Sequence, residues 1–278
     1  RMYLINNGEG GRLGNQFMRN FVLYFLVKKY NYKPSVKYHL EEDFRKLGLP
    51  FFNSDNNIKC ENEEIISLNV IKSIQKETTL NDIDLKWGIK YFIPPNAYYQ
   101  SLKYAKFMLY RFHKKDNEFI KRIIKKNKFN NRYRNNNDIF IHIRSGNFFR
   151  KFPPIIPGLE YYEYILESLK DKYDNIYICT DNNKNDIVRA LRKKYKIIIP
   201  DFHKNHIDVI LFGSTCKYVI LSSGSYSFMI GLFSYHTKYI YFSPDAGLQG
   251  KYKDKRWHPD YYLAMDQIKF TKFRKIEV

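Results

Sequence analysis

The sequence predicts an α/β protein built from two domains around parallel β-sheets. The second half of the 278-residue chain alternates short apolar strand patterns with helical patterns, and this alternation is typical of a parallel sheet covered by helices on both faces. The first half opens with a strand candidate, a glycine-rich loop and a long apolar helix. The length suits one large domain or two of ordinary size, and we expect two.

The beginning of the first half has the pattern of an anion-binding unit. Tyr3-Leu4-Ile5 is a strand candidate, residues 17–30 are long and apolar as in a largely buried helix, and four glycines lie in the loop between them. Backbone amides in such a loop, next to a helix N-terminus, can bind an anion, although a structural turn is the more common use of a glycine loop. The glycine spacing is not that of the dinucleotide-binding fingerprint. Further candidates are a strand over 35–38, a short helix over 41–47 and a core helix over 99–113. In the basic stretch that follows, Ile120, Ile123 and Ile124 mark one helical face.

A stretch rich in Lys, Arg and Asn separates the two halves. Residues 127–137 are the best linker candidate, so we place the boundary near residue 136 and expect domains of 1–136 and 137–278. Residues 50–95 mix short apolar pairs with Asn, Asp and Glu, and they are assigned only loosely, to loops and short elements of the first domain. The last segment, 245–278, is interpreted as a tail that packs back onto that domain.

The second half has a more regular rhythm. Its predicted strands cover 139–143, 176–179, 197–199, 218–221 and 239–242, and its predicted helices cover 159–170, 185–195, 207–212 and 227–233. In open α/β sheets, ligands bind where the strands end. We therefore expect this half to be a nucleotide-binding domain.

Three of these strands end in polar clusters. The clusters are His142, Arg144, Gly146 and Asn147; Thr180-Asp181-Asn182; and residues 222–227, which include Ser222, Ser223, Ser225 and Tyr226. An Arg at a strand end offers a planar fork of donors that fits a phosphate or a carboxylate, and a Gly lets a ligand approach the backbone closely. Each cluster alone is also typical of a solvated turn or a helix cap. Together they predict a nucleotide-diphosphate site.

The chain is strongly basic. A net charge of +20 and a pI near 9.6 give it a positive field that attracts anions, whether a nucleotide-sugar, a nucleic acid or an acidic membrane surface. The basic residues are spread along the chain rather than gathered in one helix or arm, and no RNA- or DNA-binding motif is present. We therefore expect no nucleic-acid partner, and association with a membrane surface through basic side chains stays open.

The cysteines and the apolar runs indicate a cytoplasmic protein. The three cysteines are far apart and lack metal-type spacing, which indicates neither a disulfide framework nor a zinc site. The first residues lack a signal-peptide pattern, and the longest early apolar run, 21–27, is too short to cross a bilayer. Asp82-Ile83-Asp84 has the D-x-D form of a metal-binding signature, but it is interpreted as a surface pair, and no metal or other cofactor is expected.

Two motifs resemble those of a known family. Gly10-Gly11-Arg12-Leu13-Gly14-Asn15-Gln16 resembles the G-G-R-L-G-N-Q signature of the α-1,2-fucosyltransferases (glycosyltransferase family 11), and His142-x-Arg144-x-Gly146-Asn147 resembles their H-x-R-x-G-D motif. Thr180-Asp181-Asn182 and Ser222-Ser223-x-Ser225 are similar, more weakly, to motifs shared with the α-1,6- and protein O-fucosyltransferases. The resemblance spans both halves, but residues 50–137 match no motif of the family.

The resemblance implies a GT-B-type fold, with two Rossmann-like domains facing a cleft, and an inverting, metal-independent reaction. It implies a donor, GDP-fucose, in the C-terminal domain and a glycan acceptor mainly on the N-terminal domain. Arg144 would hold the β-phosphate with His142 beside the diphosphate or ribose, and these two are the catalytic candidates. Asp181 would accept hydrogen bonds from guanine. The other donor-binding candidates are Gly11, Arg12, Gly14, Asn15, Gln16, Gly146, Asn147, Ser222, Ser223, Ser225 and Tyr226.

One position departs from the family pattern. Where the family motif has Asp after the glycine, this chain has Asn147, which cannot act as a base. The position is then structural, or the donor or acceptor differs, or Glu160, Asp201 or Asp208 serves as base; a carboxylate of ordinary pKa suffices when proton removal follows glycosidic cleavage. The alternatives to an α-1,2-fucosyltransferase are the same fold with another nucleotide-sugar donor, a catalytically inactive glycan-binding protein and a nucleic-acid-binding protein.

Overall fold

The structure is a computed structural model, and it confirms an α/β fold with parallel strands. It describes residues 3–6, 12–30, 33–36, 40–49, 51, 65–67, 90–93, 108, 112, 117–145, 157–222, 224–234, 237 and 239–242. Within these ranges, nine strands form two sheets, one in each half of the chain. The predicted tail 245–278 and Asp82-Ile83-Asp84 lie outside the described residues.

The first sheet contains four parallel strands. They are β1 (Tyr3–Asn6), β2 (Lys33–Val36), β3 (Ile65–Ser67) and β4 (Lys90–Ile93), in the order β2-β1-β4-β3. β1 pairs in parallel with β2 on one side and with β4 on the other, so the strand at the start of the chain is central. β2 begins two residues before the predicted strand, and β3 and β4 lie in the region that the sequence assigns only loosely.

Two described helices accompany the first sheet. α1 (Leu13–Tyr30) begins inside the glycine motif, four residues before the predicted helix, and α2 (Glu41–Lys46) lies where the pattern predicts it. Of the predicted helix over 99–113, the structure describes Met108 and Phe112, and both are helical and fully buried.

The second sheet contains five parallel strands in the order β7-β6-β5-β8-β9. Their bounds are β5 (Ile139–Ile143), β6 (Ile176–Thr180), β7 (Ile197–Ile198), β8 (Tyr218–Leu221) and β9 (Tyr239–Phe242), and all five are predicted. β5 is the central strand, and every one of its residues is buried. A strand covered on both faces reads as a continuous apolar run, which is why it is clear in the sequence.

The helices of the second sheet follow the predicted alternation. α3 (Glu118–Lys126) precedes the sheet, and α4 (Leu159–Ser168), α5 (Asp186–Lys194), α6 (His206–Gly213) and α7 (Ser225–Phe233) follow in chain order. Asn117, Asn185 and Asn205 cap α3, α5 and α6 through side-chain oxygens that accept hydrogen bonds from first-turn amides. α7 begins two residues before its predicted start, within the serine-rich cluster.

The segment 127–137, the linker candidate, packs against the second half. The buried Asn127 side chain donates hydrogen bonds to the carbonyl of Leu211 and to the hydroxyl of Tyr133. Arg132 forms an ion pair with Asp138, with 2.5 Å between Nη2 and Oδ2. These contacts attach the segment to α6 and to Asp138, the residue before β5. The domain boundary at residue 136 stays a prediction.

A large buried cluster joins helices of both halves. Phe17 of α1 lies with its ring centroid 5.3 Å from that of Phe233 in α7, and Phe112 stacks on Phe233 at 5.4 Å. Phe140 of β5 points into this cluster, whereas Ile139, Ile141 and Ile143 point to a second cluster beneath α4 and α5. The alternation of β5 thus turns His142 towards the face on which α1, α6 and α7 pack.

Within the described ranges, no helix combines the length and the apolar character needed to span a bilayer.

Candidate active site

Polar side chains from three adjacent strands meet at one edge of the second sheet. Because β6, β5 and β8 are parallel neighbours, their carboxyl ends lie side by side, where α/β sheets bind ligands. The Ser145 amide, after β5, donates a hydrogen bond to Asp181 Oδ1, after β6, at 2.8 Å. The Arg144 amide donates to Ser222 Oγ, after β8, at 3.0 Å. The described members of the three clusters therefore lie together at this edge.

Arg144 is held at this edge by an ion pair. Its Nη1 lies 2.6 Å from Oδ2 of Asp181, and the two side chains keep 20% and 28% of their surface exposed. The other carboxylate oxygen of Asp181 accepts hydrogen bonds from both the amide and the hydroxyl of Ser145. Asp181 therefore fixes the guanidinium and the turn beneath it as one unit, while part of the Arg144 side chain stays exposed.

His142 is buried and uncharged. Its side chain is only 5% exposed, and Nδ1 shares a hydrogen bond of 2.7 Å with Ser227 Oγ, which lies 3.2 Å from Ser222 Oγ. Burial lowers the pKa of His142 to about 4, and the negative charge of Asp181 opposes only part of this effect. The imidazole is neutral at pH 7, so it can share hydrogen bonds but supplies no positive charge.

The glycine motif of the first half reaches this edge through the start of α1. A Cβ on Gly14 would lie 2.6 Å from the backbone C of Ser225 and the backbone N of Tyr226, at the start of α7. Next to it, Ser225 Oγ donates a hydrogen bond of 2.6 Å to Asn15 Oδ1, across 210 residues of sequence. Only Gly permits this approach, and it brings the N-termini of α1 and α7 together.

The start of α7 is shaped for an anion. Its N-cap is Gly224, which has φ of 104° and makes no side-chain hydrogen bond to the first turn. Within the part of the chain that the structure describes, a Cβ built on Gly224 would meet no atom within 4 Å. Neither α1 nor α7 carries an acidic residue in its first turn. The partial positive charge at each of these two helix N-termini is therefore not offset by an acidic side chain of its own first turn.

Tyr226 links this site to the start of α6. Its ring centroid lies 5.1 Å from that of His142, and its hydroxyl donates a hydrogen bond of 2.5 Å to the carbonyl of His206. Burial raises the pKa of Tyr226 well above its ordinary value. The hydroxyl therefore stays protonated across the physiological range.

The remaining predicted site residues divide into two groups. Gln16 is buried within α1, and Arg12 is exposed immediately before that helix, where its carbonyl accepts a hydrogen bond from the Gln16 amide. The candidates that lie outside the described residues are Gly11, Gly146, Asn147 and Ser223. Of the described members of the N-terminal motif, Gly14 and Asn15 contact the start of α7, beside the edge that holds Arg144 and His142.

Three residues that support the site were not selected from the sequence. Ser145 and Ser227 hold Asp181 and His142, and Tyr161 of α4 donates a hydrogen bond of 3.0 Å to the carbonyl of Leu221 at the end of β8. Ser227 belongs to the serine-rich cluster, and membership of that cluster is the signal by which it could have been selected. Ser145 fills an unspecified position of its motif, and Tyr161 lies in an ordinary amphipathic helix.

The arrangement suits the binding of a diphosphate. Arg144 supplies a planar, permanently charged donor, and two helix N-termini supply oriented amides. Within the described part of the chain, no group of three or more His, Cys, Asp or Glu side chains is placed to hold a metal ion.

Comparison with known proteins finds similarity at the level of structure. No protein-family model matches the chain, and no curated protein matches it. A crystal structure of NodZ α-1,6-fucosyltransferase co-crystallised with GDP aligns with a TM-score of 0.49 and 10% identity, over 87% of this chain and 94% of that one. Fucosyltransferase NodZ from Bradyrhizobium aligns at 0.46 and 9%, over 86% and 94%.

A crystal structure of POFUT1 in complex with GDP aligns at 0.43 and 12%, over 84% of this chain and 94% of that one. The solved structures named here are thus fucosyltransferases, two of them bound to GDP. Their TM-scores lie below 0.5, and the likeness by itself assigns no activity to this chain.

Proposed function

We propose that this protein is an inverting, metal-independent glycosyltransferase that moves fucose from GDP-fucose to a galactose-like hydroxyl of a glycan, as an α-1,2-fucosyltransferase does. One observation carries the proposal. Gly14 and Asn15 of the N-terminal motif contact Ser225, beside the edge that holds Arg144 and His142. Motifs that are far apart in sequence, and that resemble those of one transferase family, thus come together in one site.

The proposed donor site follows from the charges at this edge. The diphosphate of the donor would lie against the Arg144 guanidinium and the N-termini of α1 and α7, where charge-assisted hydrogen bonds and helix dipoles favour an anion. Asp181 keeps the guanidinium in place, with Oδ2 at 2.6 Å. A carboxylate has about four lone-pair sites, so a hydrogen bond from guanine to Asp181, which the family resemblance implies, is compatible with its contacts to Arg144 and Ser145.

The proposed reaction is a displacement at the anomeric carbon of the donor sugar. The bond between that carbon and the β-phosphate oxygen breaks, the acceptor oxygen forms a new bond on the opposite face, and GDP leaves with the electron pair. Arg144 and the helix N-termini would stabilise the charge that develops on the diphosphate, and such preorganised electrostatic contacts commonly dominate catalysis. His142, being neutral, would contribute hydrogen bonding rather than charge.

The proton of the acceptor hydroxyl needs a base, and the candidates differ in their surroundings. Asp208 forms an ion pair of 2.7 Å with Lys128 and lies in the first turn of α6. Glu160 and Asp201 are exposed, in the first turns of α4 and of a short 3-10 helix. An exposed carboxylate is strong enough as a base when the proton leaves after the glycosidic bond has broken.

A second candidate keeps the reaction and changes the donor. Asn147 stands where the family motif has Asp, and a grip on the diphosphate does not by itself select the sugar. The second candidate is therefore a transferase that uses another nucleotide-sugar.

The test is a thermal-shift titration with GDP, UDP, ADP and CDP, followed by an assay with donor and acceptor. A ligand that binds the native state raises the melting temperature by mass action. We expect stabilisation by GDP, and we expect GDP release from GDP-fucose together with addition of one fucosyl residue to a β-galactoside. A response to UDP alone would favour the second candidate, and no response to any nucleotide would overturn the proposal of a transferase.

A further inference from the structure

A second cavity, separate from the edge that holds Arg144, opens where the two halves of the chain meet. Its volume is about 730 Å³, and it is lined by α2 of the first half, by the end of α3 with the turn that follows, and by the start of α6. Four lysines line it: Lys46, Lys126, Lys128 and Lys204. We call this cavity the basic pocket. Its volume lies within the range of small-ligand sites in proteins, about 300–1,000 Å³.

The carboxylates in the basic pocket are already engaged by basic groups. Asp43 Oδ2 lies 3.0 Å from His206 Nε2, and Asp208 Oδ2 lies 2.7 Å from Lys128 Nζ. Among the described residues, Lys126 and Lys204 take part in no ion pair. The lining therefore keeps an excess of positive charge, which a ligand with negative charge would balance.

The basic pocket lies on the side of the molecule that carries the candidate active site. A helix that connects parallel strands runs antiparallel to them, so the start of α6 lies at the edge where β5, β6 and β8 end. Tyr226 bridges the two places directly, because its ring packs beside His142 and its hydroxyl bonds to the carbonyl of His206. One side chain thus separates the diphosphate site from the lining of the basic pocket.

We propose that the basic pocket binds a negatively charged substituent of the acceptor glycan, of the phosphate, sulfate or carboxylate class. This inference rests on the proposed function, because it places an acceptor beside the donor site. The donor does not need the pocket, since Arg144 and two helix N-termini already serve its diphosphate. Lysines are point charges on long flexible stems, so the pocket fits an anion without demanding the bidentate geometry that an Arg would impose.

The shape of the site favours a glycan substituent over nucleic acid or a membrane. A nucleic-acid backbone needs a stripe of basic residues along a surface, whereas these lysines surround a concavity. A bilayer surface is flat and would reach only the rim of the pocket. An oligosaccharide that enters the cleft between α2 and α6 would carry its anionic group into the cavity and keep its galactose-like end beside Tyr226.

The test measures binding of lactose and of lactose 6′-sulfate to the full chain by calorimetry, with saturating GDP present so that the diphosphate site is filled. The variant is Lys126→Gln/Lys204→Gln, which removes two lysines of the basic pocket. The matched control is Lys170→Gln/Lys193→Gln, which removes the same charge from two exposed lysines after α4 and in α5. Melting temperatures without ligand check that both variants fold.

We expect the parent protein to bind the sulfated disaccharide about tenfold more tightly than lactose, a size of effect that two partly solvated charge contacts can supply. The pocket variant should lose this preference, and the control should retain it. With GDP-fucose, the pocket variant should show a raised KM for the sulfated acceptor and an unchanged kcat for lactose.

Equal binding of the two disaccharides by the parent, or full retention of the preference in the pocket variant, would overturn the inference. Lysine-dependent binding to vesicles of phosphatidylserine in place of the sulfated sugar would also overturn it. The stabilisation by GDP is measured separately, so failure of the proposed function appears as a missing GDP response, whereas failure of this inference leaves that response intact.

Discussion

The guanidinium of Arg144 and the carboxylate of Asp181 form an ion pair of 2.6 Å across the ends of two neighbouring strands. The same carboxylate bonds to the amide of Ser145, so the pair fixes the direction of the arginine relative to the sheet. An arginine that is already oriented loses little freedom when a phosphate arrives. Asp181 is therefore a positioning residue of the candidate site, and its loss should affect turnover more than folding.

Asp181→Asn tests this role. The amide oxygen still accepts the hydrogen bond of Ser145, but the charge that holds Arg144 is gone, and we expect kcat for fucosyl transfer to fall about 10- to 100-fold. Steady-state kinetics with GDP-fucose measure the change, and the melting temperature without ligand should stay close to that of the parent. If Asp181 served only to read guanine, the variant would instead raise the Kd of GDP and relax the preference for GDP over ADP while keeping kcat.

Arg144→Ala removes a permanently charged guanidinium from the strand ends. We expect stabilisation by GDP to disappear and kcat to fall about 100- to 1,000-fold, as when a single donor to a developing negative charge is deleted. Arg144→Lys keeps the charge without the planar fork, so it should recover only part of the loss. Retention of most activity in Arg144→Ala would contradict the assigned site.

Because His142 is buried and uncharged, we expect the free energy of unfolding to fall in mild acid. Its pKa is lowered to about 4 in the folded protein, while a histidine in the unfolded chain takes up a proton near pH 6.5. Between these values the unfolded chain binds more protons, so the free energy of unfolding falls as the pH drops from 6.5 to 4, by about 3 kcal/mol in total.

Urea unfolding at pH 7 and at pH 4 measures this contribution. His142→Gln cannot titrate in this range and keeps an oxygen and an amide that can bond to Ser227. Its free energy of unfolding should therefore change less between the two pH values than that of the parent, by about 3 kcal/mol. Equal changes in the two proteins would show that His142 is charged, or exposed, in the folded state.

Gly14→Ala tests the contact between the two helix N-termini. The new methyl group would lie 2.6 Å from backbone atoms of Ser225 and Tyr226, which cannot move aside as a flexible side chain can. We expect a loss of about 1–3 kcal/mol in the free energy of unfolding, typical of overpacking, together with weaker binding of GDP.

Gly158→Ala is the matched control. Gly158 is exposed and has φ of −66°, and among the described atoms its new methyl group would meet the carboxylate end of Glu160. That side chain is free to swing, so the control should keep both stability and GDP binding. A Gly14→Ala protein as stable as this control would mean that α1 and α7 do not meet as described.

The sequence predicts the second sheet well and the first sheet poorly, for a physical reason. β5 is buried on both faces and therefore reads as an apolar run with clear ends. β3 has three residues and β4 has four, and both gain their structure from pairing in parallel with each other and with β1. Both lie in a stretch where short apolar pairs are mixed with Asn, Asp and Glu, so no continuous apolar run marks them as it marks β8.

The sequence predicts those candidate site residues whose side chains would contact a ligand. It does not predict the residues whose side chains hold these candidates in place. Arg144, Asp181 and Ser225 follow strands and are polar, so the pattern points to them. Ser145 and Ser227 hold Asp181 and His142 from positions that look like ordinary turn or helix residues. The early start of α1 is accompanied by a contact between Gly14 and α7. Local helix propensity does not reveal such a long-range contact.

The ring of Phe17 packs against Phe233 in a cluster shared by α1, Phe112 and α7. Unfolding of either half would expose aromatic rings on helices of both halves, so we expect neither sheet to melt alone. The protein is therefore expected to lose both sheets in a single cooperative transition. A fragment that begins at residue 137 would expose Phe233, and we expect it to aggregate rather than fold.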